Sequence, residues 1–212
     1  MNEQEQLKNL AEIRNLMERS SRFLSLSGLS GVFIGLFALM GFFASWKYTA
    51  DNEYSLTDYY KLAFTNTGET NRSFYVFYFA ASFIVLIVSL VTAFVLTQYK
   101  SERKQMQLWD ASAKRLLLSL LIPLVTGGIF ILMLVRNHFP QLIAPCMLIF
   151  YGLALLNASK YTFDEIRNLG ILEIVLGLMG IFIVNWGLFF WAIGFGVLHI
   201  IYGLLMYKKY ER

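Results

Sequence analysis

The chain has 212 residues, of which 57% are hydrophobic and only 15% charged. That balance excludes an ordinary soluble domain, whose surface needs many more charges, and points to lipid as the solvent. The net charge of +4 is modest and divided by topology, which excludes nucleic acid as a partner. A single cysteine, Cys146, excludes a disulfide framework. With two histidines in all, His138 and His199, a His-rich metal centre is not expected either.

Residues 1–22 are polar and charged, without the pattern of a cleavable signal peptide, and the first apolar run begins at Phe23. Leu7, Leu10, Ile13 and Met17 recur there at helical spacing, with Glu12, Asn15 and Arg19 on another face. The pattern predicts an N-terminal amphipathic helix along the cytoplasmic interface, or a solvated helical cap on the 98–115 loop.

Runs of roughly 20 mostly apolar residues mark membrane-crossing helices. They predict an all-α, six-helix transmembrane domain over 23–207, with spans at 24–46, 74–97, 116–135, 141–157, 170–184 and 187–207. Residues 208–212 form a short tail. The fourth and fifth spans are short, so tilt, extension or a re-entrant segment stays open among the last four. The 47–73 segment is the one sizeable loop on the far side. Leu56, Tyr59, Tyr60, Ala63 and Phe64 share a helical face there, with Leu62 off it, predicting a short interfacial helix.

Lys and Arg set the orientation. Lys8, Arg14, Arg19, Arg22, Lys100, Arg103, Lys104, Lys114, Arg115, Lys160, Arg167, Lys208, Lys209 and Arg212 fall on one side; only Lys47, Lys61, Arg72 and Arg136 fall on the other. This bias places both termini in the cytoplasm, in a multi-pass protein of the cell's inner (plasma) membrane. "EIRNL" occurs at 12–16 and again at 165–169, each time before a glycine-rich helix, an echo more simply read as coincidence of composition than as duplication.

Glycines mark the faces where helices meet. In the first span Gly28, Gly31 and Gly35 form such a stripe with Ala38. In the fifth, Gly177 and Gly180 share a face with Glu173 and Val184; in the sixth, Gly196 and Gly203 share one with Ala192 and His199. Both intramembrane ionisable residues should therefore point away from lipid, where a charge costs roughly 2.5–3.5 kcal/mol. Counting outward from a turn at Asn185–Trp186, Glu173 and His199 lie about a dozen residues away on antiparallel helices and come out level. The pair reads either as a polar clamp between helices or as a proton-coupling site of a small transporter or channel. Arg167 is an alternative partner for Glu173. Pro123 and Pro145 lie within the third and fourth spans, where proline kinks a helix.

"GLSGVFIG" at 28–35 resembles the serine motif of rhomboid intramembrane proteases, which would make Ser30 nucleophile and His199 base. The match covers eight residues. It puts the serine on the first helix rather than the fourth and lacks the family's oxyanion histidine, so it reads as coincidence. "GILEIVLGLMG…NWGLFFWAIGFGVLHIIYG" resembles the glycine-spaced hairpins of HdeD-like acid-resistance membrane proteins, at Gly170, Gly177, Gly194 and Gly203. That resemblance implies a compact six-helix bundle concerned with envelope stress and supplies no catalytic residues. The expectation is a stress-related, regulatory or scaffold membrane bundle that is not an enzyme and binds no cofactor. Its expected partners are the lipid bilayer and either a second copy or another membrane or cytoplasmic protein.

Overall fold

A computed structural model describes residues 26–103, 105 and 111–211. The amphipathic pattern of 1–22 and the first "EIRNL" lie outside the described residues. Within them the chain is all-α. The helices are α1 (Gly28–Asp51), α2 (Arg72–Arg103), α3 (Ala111–Arg136), α4 (Ile143–Ala158) and α5 (Asp164–Phe182), then α6 (Gly187–Trp191) and α7 (His199–Tyr210). A π-helical segment, Ala192–Leu198, joins α6 to α7 without leaving helical backbone angles, so 187–210 is one rod.

Five stretches are long and apolar enough to cross a membrane: α1, α2, α3, Pro140–Tyr161 around α4, and Val184–Tyr210. This is the mark of a multi-pass membrane protein. α5 carries Asp164, Glu165, Arg167 and Glu173 within its 19 residues and is less apolar. The outer faces agree with lipid as solvent, because Met40, Phe83, Ile84, Leu118 and Ile122 are largely exposed, a patchwork that water would not tolerate.

Several expected boundaries shift. α1 begins at Gly28 rather than 24, and α5 starts at Asp164, six residues before the apolar run, with Asp164 and Glu165 in its first turn. Carboxylates there complement the positive helix N-terminus, so polar residues extend the helix beyond its hydrophobic part. α2 runs to Arg103 and α3 begins at Ala111, shortening the expected 98–115 loop. Pro145 does not interrupt α4: it is the third residue of that helix, where the missing N–H has no intrahelical partner to lose. Pro123 does lie inside α3.

The expected interfacial helix is a 3₁₀ turn over Leu56–Ala63. Three residues per turn bring Leu62 under Tyr59, and Leu62 is buried together with Tyr59 and Ala63. This turn lies over the connections at 140–142 and 184–186 and is pinned by the Tyr60 hydroxyl, which donates to Asn185 Oδ1 at 3.2 Å. His138, at a left-handed backbone position with φ 63°, sits beside Phe64, far along the chain from His199.

Backbone proximity at glycines fixes the order of packing. α1 lies along α7: an added Cβ at Gly203 would stand 2.6 Å from Val32 N, and one at Gly31 would stand 3.0 Å from Gly203 Cα. Gly28 faces the Tyr207 backbone, and an added Cβ at Gly35 would stand 2.5 Å from the Gly196 carbonyl oxygen. α5 lies along α4 in the same manner: an added Cβ at Gly177 would stand 2.7 Å from Pro145 O, and one at Gly170 2.8 Å from Gly152 O. Gly180 meets the Pro145 ring. Such approach is how helices associate where lipid removes the hydrophobic drive. α2 packs on α1, and α3 on α4, at the two flanks.

Candidate functional site

α5 and the 187–210 rod run antiparallel, and the structure brings Glu173 and His199 to 3.5 Å, from Oε1 to Nδ1. Glu173 has no exposed surface and His199 is 4% exposed. The imidazole is held at both ends. Its Nδ1 lies 3.0 Å from the Gly194 carbonyl, which can only accept, so Nδ1 carries the proton. In the neutral ring Nε2 then accepts from the Tyr151 hydroxyl of α4 at 2.8 Å. Phe195 stacks on the other side of the ring, 6.0 Å between centroids, and Tyr151 packs on Phe195 at 4.9 Å. Among the described residues neither oxygen of Glu173 has a hydrogen-bond partner.

The π-helical segment explains why His199 points this way. Gly194 and His199 are five residues apart, the reach of a π-type i→i+5 turn, and the Gly194 carbonyl meets the His199 ring. Gly194 faces Glu173 Oε2 and stands 2.5 Å, from an added Cβ, to Leu148 Cδ2. A side chain there would collide with the carboxylate, so glycine makes the room in which Glu173 sits. Gly196, by contrast, faces Leu39 of α1. The expected single face of the last helix is thus divided: Gly196 and Gly203 serve α1, while His199 serves α4 and α5.

Tyr151 was not among the expected site residues. A tyrosine in an apolar run on a third helix gives no signal of its own; only its place within helical reach of the pair reveals it. A second unexpected cluster lies at the chain's end. The Glu211 carboxylate accepts from Gly28 N at 2.5 Å and from Ser27 Oγ at 3.4 Å, capping α1. The buried Lys100 ammonium, from the end of α2, donates to Glu211 Oε1 at 3.2 Å and to the Leu26 carbonyl at 2.6 Å. Three helix ends that are remote in sequence share this one knot.

Nearby, Glu165 accepts from Lys209 Nζ at 2.6 Å and from the Tyr210 hydroxyl. Partial burial works to raise the Glu165 pKa, but Lys209, the first-turn backbone and Tyr210 outweigh it and hold the carboxyl below its ordinary value. At the opposite end, burial pushes the Tyr59 phenol well up, helped by neighbouring Tyr78 and Tyr60.

Ser30 is buried, and its hydroxyl donates to Ser27 O at 2.6 Å, within its own segment, while both ring nitrogens of His199 are engaged elsewhere. The dyad suggested by the serine motif is not formed. Arg167 is not paired with Glu173 either, whose ionisable neighbour is His199. Cys146 is a buried free thiol. Among the described residues no group of three His, Cys, Asp or Glu side chains is placed to hold a metal ion. No protein-family model, no curated protein and no solved structure matches the chain.

Proposed function

We propose that the chain is a six-span, non-enzymatic membrane bundle of scaffold or regulatory type, with Glu173, His199 and Tyr151 as a polar clamp joining α4, α5 and the last helix. The observation that carries this reading is the enclosure of the pair: Glu173 has no exposed surface, and His199 is held by Tyr151 and Gly194. Closely packed glycine faces around it are what a load-carrying bundle needs and what a permeation path lacks. The Lys and Arg bias supports an inner-membrane location with both termini cytoplasmic. The likeness to HdeD-like proteins supports a role in envelope stress.

A second reading, a small proton-coupled transporter or channel, is favoured by one observation. The Glu173 oxygens lack hydrogen bonds beside a π-helical segment, a local geometry common at functional sites. Glu173→Gln in liposomes separates the two. For a clamp, pH-driven flux in the wild type equals that of protein-free vesicles and the variant leaves it unchanged. Wild-type flux that Glu173→Gln abolishes overturns the clamp and establishes transport.

A further inference from the structure

Pro123 lies inside α3 and has no N–H, so the Ser119 carbonyl, four residues earlier, loses its helical donor. In a helix that crosses lipid no water replaces that donor, and a bare carbonyl is costly. The partner has to come from a neighbouring element.

Asn157, near the end of α4, stands at this carbonyl: its Nδ2 donates to Ser119 O at 3.0 Å. The amide cannot be turned over. Its Oδ1 accepts from the Lys160 ammonium at 3.4 Å, and an ammonium only donates while a carbonyl only accepts. On the other side of the proline, the Thr126 hydroxyl donates to the Ile122 carbonyl at 2.8 Å, a back-bond of the kind that bends helices.

α3 docks on α4 to both sides of Pro123. Before it, Ala113 and Leu116 share a buried cluster with Ala158. After it, Gly127 meets Phe150, whose Cβ would stand 2.5 Å from an added Cβ, and the Phe130 ring packs on the same phenylalanine at 5.4 Å between centroids. Ser119 precedes Gly127 by eight residues and Phe150 precedes Asn157 by seven, so the two contacts keep one antiparallel register. The Asn157 bond therefore lies on the seam between the helices, between the two docking points.

We propose that Pro123 and Asn157 form a single conformational device: the proline lets α3 bend onto α4, and Asn157 returns to the stripped carbonyl a bond made across the helix boundary. Asn157 is thus a positioning residue, its amide matched to a proline on another helix, and Lys160 keeps Nδ2 turned toward Ser119. This rests on the α3–α4 seam alone and not on the role of the Glu173 clamp.

The test uses the full chain in detergent micelles, with carbon-13 at the serine carbonyls and the Ser119 signal identified by its disappearance in Ser119→Ala. Asn157→Leu, close in volume but without a donor, should move that signal upfield while the serine signals of α1 stay in place. It should also lower the thermal midpoint by about 2–4 °C, the shift of one net hydrogen bond in a chain of this size. Pro123→Ala restores an N–H to position 123, which takes the Ser119 carbonyl back into the helix. Adding Asn157→Leu to that variant should then leave both the signal and the midpoint nearly where Pro123→Ala put them. An unmoved Ser119 signal in Asn157→Leu overturns the proposal, as does a midpoint loss that is equal with and without Pro123.

Discussion

Glu173 and Gly194 define one another at the scale of single residues. Gly194→Ala drives a methyl into Oε2 and Leu148, and should cost about 1–3 kcal/mol by overpacking. Glu173→Ala opens that space, so the double variant should recover part of the loss, a non-additivity measurable by thermal unfolding in detergent. Additive losses would mean that the two positions do not share a cavity. Glu165 gives a pH dependence with a definite sign. Its pKa is lower folded than unfolded, so its contribution is complete above the unfolded carboxylate value and is lost as pH falls through the folded one. The acid limb of the stability profile should therefore flatten in Glu165→Gln, with the loss of stability largest at neutral pH and vanishing in acid. The juxtaposition of Glu173 with His199 was legible because glycine phase and hairpin counting are local arithmetic. Tyr151 was not, since its role depends on which third helix packs there.

Among the elements, the last rod is divided between two jobs. Its π-helical segment turns His199 relative to Gly194 and Gly196, while His199 and Gly203 keep α-helical spacing within α7. The sequence does not announce this, because Gly194 and Gly196 read equally well in either helix type. It is likewise silent on the 3₁₀ turn at 56–63, where a period of three rather than 3.6 buries Leu62. The glycine stripe of α1, by contrast, was readable, and its use can be measured. Gly203→Leu must push Val32 and Gly28 away from α7, so it should cost more than the same change at Gly128, where the added side chain meets open space. Unfolding midpoints of the two variants, read side by side, test this; an equal loss would contradict the packing order.

For the molecule as a whole, the chain closes on itself. Glu211 caps α1 and meets Lys100 of α2, so α1, α2 and α7 are fastened at one end, while the Tyr60–Asn185 contact fastens the other. Charges at helix ends in a membrane protein ordinarily reach into water, which is why nothing in the sequence singled out this knot. Removing a cap alone costs about 0.5–2 kcal/mol. Because Glu211→Ala also takes a partner from a buried ammonium, its loss should lie at or above the upper end of that range. Detergent unfolding of Glu211→Ala against Glu211→Gln separates the two parts, since Gln keeps an acceptor for Gly28 N and loses only the charge.

The same closure sets a timetable for biosynthesis. Gly28 and Glu211 are 183 residues apart, and the glycine stripe of α1 docks on a segment made long after it. At about 5–20 residues per second, α1 waits in the bilayer for roughly 10–40 s before its partner exists. During that interval a face built for intimate backbone contact is open to other helices, including the α1 of a neighbouring nascent chain. A chain truncated before Gly187 makes that interval permanent, so such fragments should self-associate through α1 and be cleared by quality control, while the full chain does neither.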